Sequence, residues 1–489
     1  MVKIKHNIRI FNTLTKKKDL IKPIKDLSRG KAGKKINLFV CGPTVYDFSH
    51  IGHAKTYIPY DAFVKYLRFI GFNVFYLQNI TDVDDKIIQR AREKGVSPKD
   101  LALAFEKEYL KDIKALGVNS VSKYARATKY IKEIISQVQR LEKKGIAYKI
   151  DNDGIYFNIA KFKKYGKFSG RTISGAQDAT SRIDYSIKKI NRGDFCLWKF
   201  TQQEGEPSWK SPWGKGRPGW HIEDTAISEK FFGPQYDIHG GAIELMFPHH
   251  QAEIAQMESI SGKSPLVRYW VHTGLLTVNG QKMSKSLGNF ITISDFLKRF
   301  SKEQIRFLML KTLWSSPVDY SESAMVEVKS ALEKIEEFLR KLKVIKLKVI
   351  KKNKKVDELL KKTKLEFYKQ LDDNFNTPKA FAVLFDFIKE INKILDPSLG
   401  SGQVYGQIAK EQVKDIYNFF VEINKIFGII NFSNTKLQKI PENIKQLLAQ
   451  RKEARNNKDW QKSDEIRNKI TELGYTIEDT SSGQNIKKI

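Results

Sequence analysis

The stretch from residue 36 to residue 85 constrains the fold more than any other part of the chain. It opens with the short apolar run 36–40, which is typical of a buried parallel strand and is ended by a Gly-Pro pair. Ser49 can then cap a helix whose apolar side chains recur at helical spacing as far as Gly71, and residues 72–77 supply a second strand. This order predicts a strand–helix–strand unit of an open parallel sheet, with the first turn at the edge where ligands bind.

Two histidines, His50 and His53, stand three residues apart at that turn. Both can therefore face one phosphate-sized ligand at the N-terminus of the helix. The turn has neither G-x-G-x-x-G nor G-x-x-x-x-G-K-[ST], which argues against a dinucleotide site or a P-loop there. Taken alone, the pattern H-x-G-H is equally consistent with a polar turn whose groups bond to one another.

A second motif, Lys-Met-Ser-Lys-Ser at residues 282–286, favours the functional interpretation. It follows an apolar, strand-like run at 274–278 and an Asn-Gly turn. Two lysines in a loop near phosphate-contacting histidines suit the displacement of a polyphosphate, because charge builds on the departing oxygens. The two motifs, in this order and more than two hundred residues apart, resemble the H-I-G-H and K-M-S-K-S signatures of class I aminoacyl-tRNA synthetases.

Five flanking segments narrow the resemblance to the cysteinyl-tRNA synthetase family, and it extends over nearly the whole chain. The implied fold is α/β, a Rossmann-type doubly wound parallel sheet with a connective insertion, followed by an α-helical bundle and a small C-terminal domain. The segments are residues 39–47, 79–86, 218–223, 237–241 and 247–250.

The pattern along the chain places boundaries on these parts. The first half of the catalytic domain is expected at residues 1–111 and the second half at 194–286, with the insertion between them at 112–193. A stem-contact region at 287–322, a helical tRNA-binding bundle at 323–430 and an anticodon-binding domain at 441–489 complete the expected organisation. Within these parts the local patterns predict a hairpin at 147–158, a polar loop at 166–192, a strand from Phe195 that resumes the sheet, a helix at 293–311 and a loop at 397–402.

Charge and cysteine content bear on partners and compartment. Lys and Arg number 87 against 55 Asp and Glu, a formal charge of +32, which indicates a polyanionic partner or, alternatively, a generally lysine-rich set of proteins in the source organism. Two cysteines exclude a disulfide framework and fit a reducing compartment. Because no apolar run approaches membrane-spanning length, we expect a cytoplasmic protein that does not contact a membrane. The family resemblance further implies a monomer whose polyanionic partner is not DNA.

The resemblance implies a cysteine–tRNA ligase activity, with L-cysteine, ATP and tRNA(Cys) as partners. His50 and His53 are then expected to stabilise charge on the ATP phosphates, and Lys282 and Lys285 to clamp the leaving pyrophosphate together with Mg²⁺. The remaining contacts implied by the resemblance are His239, Gly240 and Gly241 to adenosine, Thr44, Thr81 and Trp220 lining the amino-acid pocket, and Glu244 to the substrate ammonium.

The family also holds a zinc ion that binds the substrate thiol, and the resemblance assigns its ligands to Cys41, Asp224, His249 and Glu253. Asp224 stands where the family has a second cysteine. Zinc accepts carboxylate oxygen as well as thiolate, and the formal charge of the set is unchanged, so we expect zinc to be retained. In the alternative, Asp224 pairs with a nearby base and zinc is absent or weakly bound. Cys196 lies in an apolar run and is expected to be a core residue.

Two rival functions stay open at this point. A related ligase could join activated cysteine to a small amine, but it should lack the roughly two hundred residues that follow Ser286. A non-enzymatic RNA-binding paralogue should have eroded motifs, whereas both histidines and both lysines are intact here.

Overall fold

The computed structural model describes residues 6–24, 34–171, 186–219, 221–344, 352–395, 408–435, 441–480 and 483–488. The chain forms two compact units. The first comprises residues 1–334, 358–387 and 415–430, and the second comprises residues 335–357, 388–414 and 431–489.

A five-stranded parallel sheet is the centre of the first unit. The first strand in the chain, Lys35–Val40, lies in the middle, so the sheet grows in both directions from it. Such a reversal of strand order opens a crevice at the carboxyl ends of the strands, here between Lys35–Val40 and Tyr236–Ala242. The Rossmann-type prediction is confirmed. The spatial order of the strands is Val267–Thr273, Tyr236–Ala242, Lys35–Val40, Asn73–Ile80 and Lys123–Arg126.

Helices cover this sheet because its strands are apolar on both faces; Leu38, Phe39 and Val40 have no exposed surface. The predicted helix after the first strand is present as Ile51–Phe69 and is buried along most of its length. The other helices of this region are Asp85–Lys94, Pro98–Ala115, Ile131–Lys143, Ile222–Phe232 and His249–Ser261.

Two strands belong to different sheets from those that the sequence pattern indicated. Lys123–Arg126 pairs in parallel with Asn73–Ile80, so the parallel sheet continues past the predicted boundary at residue 111. Phe195–Phe200, expected to resume that sheet, instead lies in the middle of a separate antiparallel sheet. A four-residue strand with two basic side chains is too short to stand out by periodicity, and a buried apolar run does not specify its sheet.

The antiparallel sheet has five strands and contains the predicted hairpin over residues 147–158. The predicted polar loop at 166–192 falls largely outside the described residues. The strands are, in spatial order, Ala147–Ile150, Gly154–Phe157, Phe195–Phe200, Gly214–Pro218 and Trp209–Ser211.

Two small sheets complete the β-structure of the first unit. Arg9–Asn12 pairs with Lys17–Leu20 near the N-terminus. Leu276–Val278 pairs with Gln281–Lys282 and with Val318–Tyr320, so the second motif begins on the strand of a tight hairpin.

The chain beyond residue 286 is mostly helical, as predicted. The helix expected over 293–311 is two helices, because Ser301 caps a new helix with its side chain. Four further helices contribute residues to both units. The helices are Ile293–Arg299, Lys302–Leu310, Glu322–Val344, Lys354–Asp372, Thr377–Leu395 and Lys410–Phe427.

The C-terminal part of the second unit consists of the helices Glu442–Asn456 and Trp460–Glu472 and the hairpin Tyr475–Thr480 with Gly483–Lys488. Arg451 is buried and donates from both Nη atoms to Asp479, at 2.7 and 2.9 Å, which ties the first helix to the hairpin. The predicted loop at 397–402 lies outside the described residues. None of the helices in the described ranges is long and apolar enough to cross a membrane.

Candidate active site

The two motif histidines form the N-terminal cap of the helix Ile51–Phe69. His50 Nδ1 accepts a hydrogen bond from the Gly52 N–H at 3.1 Å, and His53 Nδ1 accepts one from the His50 N–H at 3.1 Å. Their ring centroids are 4.0 Å apart. The spacing of three residues therefore makes a reciprocal cap, in which each ring satisfies a backbone donor of the first helical turn.

Burial at this cap determines the charge of both rings, and the capping hydrogen bonds determine which ring nitrogen carries the proton. Burial lowers the pKa of His50 to about 4, and burial together with the neighbouring His50 holds the pKa of His53 well below its usual value. Each ring is therefore neutral near pH 7, and because Nδ1 accepts a hydrogen bond, the proton lies on Nε2. Two neutral N–H donors at a helix N-terminus suit binding of an anionic oxygen.

The lysine motif lies against the start of this helix. The N–H of Ile51 donates to the carbonyl of Ile291 at 3.1 Å, and the N–H of Ile293 donates to the carbonyl of Ser49 at 3.0 Å. The ring of Phe290 contacts that of His50, with centroids 5.2 Å apart. Backbone bonds thus bring together two motifs that are far apart in sequence.

Both motif lysines are paired with carboxylates. Lys282 Nζ lies 2.6 Å from Glu244 Oε1, and Lys285 Nζ contacts Asp47 while lying 5.1 Å from the centroid of the Phe290 ring. Burial would raise the pKa of Asp47, but its bonds with Lys285 and the Phe48 N–H lower it overall. A polyphosphate that enters here can replace these carboxylates as the partner of the lysines. Glu244, predicted to meet the substrate ammonium, pairs with Lys282 in this structure.

A buried cluster of potential metal ligands surrounds Cys41 at the end of the central strand. Cys41 Sγ lies 3.2 Å from His239 Nε2, 3.2 Å from His250 Nε2 and 3.9 Å from Asp224 Oδ2. The ligand atoms of Cys41, His239, His250 and Glu253 lie within 4.8 Å of one another. Those of His221, Asp224 and Glu253 form an overlapping second group.

Burial favours the uncharged forms of these groups. It raises the pKa of Asp224 to about 7, and burial together with Asp224 and Glu223 raises that of Glu253 well above its usual value. Burial, and then the charge of Glu253, likewise raise the pKa of the Cys41 thiol. Among the described residues, both carboxylate oxygens of Glu253 and Oδ1 of Asp224 are buried without a hydrogen-bond partner. Unsatisfied buried acceptors next to sulfur and imidazole nitrogen fit a divalent cation, which would favour the charged forms.

The predicted ligand set and the observed cluster overlap in part. Cys41, Asp224 and Glu253 lie together, whereas neither group of ligand atoms found among the described residues includes His249. His249 Nδ1 contacts His221 Nε2, and His221 belongs to the second group. Sequence reasoning did not place His250 or His239 beside Cys41. The adjacent histidines at 249 and 250 could have indicated this, because two successive residues of a helix point in different directions and either one could have been the residue that faces Cys41.

The two glycines predicted to contact adenosine lie against aromatic rings that leave no room for a larger side chain. A Cβ on Gly240 would be 2.5 Å from the Tyr60 ring, and one on Gly241 would be 3.0 Å from the His250 ring. The neighbouring His239 shares a hydrogen bond of 2.6 Å between its Nδ1 and the Tyr236 hydroxyl, and its ring stacks on that of Trp270.

Thr44 and Thr81, predicted to line the amino-acid pocket, form an isolated parallel bridge at the ends of adjacent strands. Thr81 Oγ1 donates to Glu223 Oε1 at 3.3 Å, beside the cluster. Trp220, the third residue predicted for the pocket, lies outside the described residues.

Comparisons with known proteins agree on one family. A profile described as "tRNA synthetases class I (C) catalytic domain" matches residues 28–330, a DALR domain profile matches residues 366–431, and a "Cysteinyl-tRNA ligase anticodon binding domain" profile matches residues 437–486. The first profile lies within the first unit and the third within the second, whereas the DALR profile covers residues of both.

Individual relatives belong to the same family, and solved structures of low identity share the fold. The chain is 40% identical to a cysteine–tRNA ligase of Thermococcus onnurineus over 99% of both chains, and 41% identical to that of Methanococcus maripaludis over 99% of both. It is also 42% identical to that of Thermoplasma volcanium, over 96% of this chain and 97% of that protein. Among solved structures, Mycobacterium tuberculosis methionyl-tRNA synthetase in complex with methionyl-adenylate has a TM-score of 0.60 at 15% identity, covering 80% of this chain and 89% of that one.

Proposed function

Because this chain belongs to the cysteine–tRNA ligase family of class I aminoacyl-tRNA synthetases, we propose that it activates cysteine with ATP and transfers it to the 3′ end of tRNA(Cys). The observation that supports this most is the junction between the histidine-capped helix and the lysine loop. It combines two neutral N–H donors with two exposed lysines at the carboxyl edge of a parallel sheet, as transfer to a phosphorus centre requires.

In the first step, the carboxylate of cysteine attacks the α-phosphorus of ATP, and pyrophosphate leaves. The Nε2–H groups of His50 and His53 donate to phosphate oxygens that gain charge as the bond forms. Lys282 and Lys285 leave their carboxylate partners and bind the departing pyrophosphate, with Mg²⁺ accompanying ATP. In the second step, a ribose hydroxyl at the tRNA 3′ end attacks the carbonyl carbon of the adenylate, the bond from that carbon to the phosphate oxygen breaks, and AMP leaves as the hydroxyl proton is released.

Around the substrate amino acid, Thr44, Thr81 and Trp220 are the proposed pocket residues, with Glu244 as partner of the ammonium group. His239, Gly240 and Gly241 are proposed to contact adenosine, on the strand next to the capped helix. In the absence of ATP, Glu244 neutralises Lys282, and it is released for the ammonium when the lysine binds phosphate.

We further propose that zinc is the cation held by the buried cluster. Cys41, Asp224, His249 and Glu253 remain the proposed ligands, and His250 and His239 support the same site from the Cys41 side. When bound, zinc would hold the substrate thiolate. A metal with a preference for sulfur leaves serine poorly bound, so an editing domain is not required.

The two rival functions have less support. The profile match over residues 437–486 speaks against a ligase for small amines, which has no need of an anticodon-binding region. The reciprocal cap and the paired lysines speak against a paralogue that has lost catalysis.

The test is ATP–pyrophosphate exchange and tRNA charging by the purified full-length protein. We expect exchange that depends on cysteine and is far slower with serine. We also expect charging of tRNA(Cys), with an affinity of the protein for tRNA that falls steeply as the salt concentration rises. Exchange without charging would favour the small-amine ligase, and absence of both would favour the RNA-binding paralogue.

A further inference from the structure

A buried ionic cluster that the proposed mechanism does not use lies along the histidine-capped helix. Asp61, on that helix, has no exposed surface, and Arg306, on the helix Lys302–Leu310, is 1% exposed. Arg306 Nη2 donates to Asp61 Oδ2 at 2.8 Å, and Lys65 Nζ donates to the same oxygen at 2.7 Å. A buried pair of this kind costs desolvation energy that apolar side chains of equal volume avoid, so stability alone does not account for it.

The guanidinium of Arg306 joins four separate segments of the first unit. Besides Asp61, its Nη1 donates to the carbonyls of Leu116 at 3.2 Å and Gly117 at 3.3 Å, and its Nε donates to the carbonyl of Phe427 at 2.5 Å. The carboxylate of Asp61 is also fully used, since its Oδ1 accepts from two backbone N–H groups after Gly117, both at 3.0 Å. Because the guanidinium is rigid and planar, these bonds fix several directions at once.

This cluster gives the two motifs a second point of attachment. At the site itself, Ser49 and Ile51 bond to the backbone that follows the lysine loop. Asp61 lies eleven residues after His50, about 16 Å along the helix. There it bonds to Arg306 on the second helix after the same loop. One attachment point would allow the loop to rotate against the helix, whereas two points fix the angle between them.

From this geometry we propose that Arg306 is a positioning residue. It holds the segment that presents Lys282 and Lys285 at a fixed angle to the helix that presents His50 and His53. Through Phe427 it also links that angle to the C-terminal end of the helix Lys410–Phe427. The inference rests on the proposed function, because it assumes that both motifs contact the same phosphates.

The first test is Arg306→Lys in the full-length protein, which keeps the charge but loses the planar set of donors. A displacement of the lysines by about 1 Å should lower kcat for cysteine-dependent exchange by roughly 10–100-fold. KM for cysteine and ATP should change by less than about twofold, because ground-state contacts remain. Lys65→Met is the matched control: it removes another charge from Asp61 but leaves the bridge of Arg306 in place, so kcat should stay within about twofold of the parent.

A second variant separates positioning from stability. In Asp61→Leu combined with Arg306→Met, apolar side chains fill the same space, and such replacements leave stability unchanged or raised in other buried pairs. We expect this double variant to keep the parental Tm and still lose at least tenfold in kcat. Parental kcat in the folded double variant, or equal losses in Arg306→Lys and Lys65→Met, would overturn the proposal; if the double variant does not fold, Arg306→Lys against Lys65→Met decides.

Failure of this inference is distinguishable from failure of the proposed function. If exchange is absent in the parent, or is unchanged when the motif lysines are removed, the proposed function is wrong. If those controls behave as expected and only Arg306→Lys retains full kcat, the positioning role alone is wrong.

Discussion

The junction between the histidine-capped helix and the lysine loop lies at the same edge of one sheet as the buried cluster around Cys41, but the two are built in different ways. At the junction, local backbone bonds orient the side chains: the first helical turn orients the two histidines, and the residues around Lys282 and Lys285 bond to one another within the loop. In the cluster, the donor atoms come from two strands and two helices that are related by no sequence spacing.

The two regions also treat charge differently. Lys282 and Glu244 are both more than half exposed, so their ion pair is weak and either partner is easily replaced. Asp224 and Glu253 are buried, and their unsatisfied oxygens are costly without a cation. The junction is therefore suited to exchange its ionic partners during a reaction, and the cluster is suited to keep one permanently.

The largest expected effect comes from breaking the junction. His53→Ala and Lys285→Ala should each lower cysteine-dependent exchange by about 10²–10³, because each removes a contact that strengthens in the transition state. Cysteine affinity should change little. Lys298→Ala is the control, since Lys298 forms an exposed ion pair, with Asp295, outside the junction. Near-parental exchange in both motif variants would contradict the assignment of these residues to catalysis.

Breaking the cluster should give the next largest effect, and it is measured as zinc per chain. We expect Asp224→Ala and Cys41→Ala to weaken zinc binding by at least about tenfold, since even the loss of an outer partner of a ligand has an effect of that size. Cys196→Ala controls for loss of a buried thiol, because Cys196 packs in a separate apolar cluster and should leave zinc unchanged.

The nature of the fourth ligand sharpens this result. Asp224→Cys should bind zinc at least as tightly as the parent and discriminate better against serine, because a second soft donor favours a thiol substrate. Zinc content unaffected by Asp224→Ala would mean that Asp224 is not a ligand. A zinc-free parent that still prefers cysteine would remove the metal from the account of specificity, and Thr44 and Trp220 would be tested instead.

The contrast between the regions explains what the sequence could predict. The order of strand, helix and strand and the lysine loop could be predicted, because each depends on residues close in the chain. The helix was predicted too, but its cap was expected at Ser49, whereas His50 caps it together with His53. The approach of the two motifs depended on the family resemblance, and the contact between Lys282 and Glu244 could not be read from either motif.

In the cluster, by contrast, the sequence gives residue types but not neighbours. His249 and His250 are adjacent on one helix, and nothing local decides which faces Cys41; packing of that helix on the parallel sheet decides it. The strand Lys123–Arg126 was missed for a similar reason, because its place is determined by pairing with Asn73–Ile80 and not by its own pattern. Likewise, Arg306 carries no motif, and only tertiary structure reveals its partners.

Two glycines provide a smaller test of the same contrast. Gly288, in the lysine loop, has a φ of 65° and open space around its missing Cβ, whereas Gly240, beside the cluster, has no such φ but lies against Tyr60. We expect Gly240→Ala to lower the free energy of unfolding by about 2–3 kcal/mol, the upper part of the range for overpacking. Gly288→Ala should cost about 1 kcal/mol through backbone strain. Denaturant unfolding of both variants would measure this, and an equal cost would contradict the distinction.

The smallest effect concerns pH and the buried imidazole of His50. Its pKa is about 4 in the folded protein against a usual value of 6.5, because burial disfavours the charged form. Between these values the unfolded chain binds a proton that the folded protein does not, so the stability that neutral His50 contributes is complete above pH 6.5 and is lost as pH falls towards 4. His50→Gln has no such proton to bind.

The Tm of the parent should therefore fall relative to that of His50→Gln, by about 2 °C, as pH is lowered from 6.5 to 4. Above pH 6.5 the difference between the two should be constant, because His50 is neutral in both folded and unfolded states there. Thermal unfolding followed at half-unit steps of pH measures this difference directly. A difference that does not change with pH would mean that the ring is protonated in the folded protein, and then it could not serve at Nδ1 as the acceptor that caps the helix.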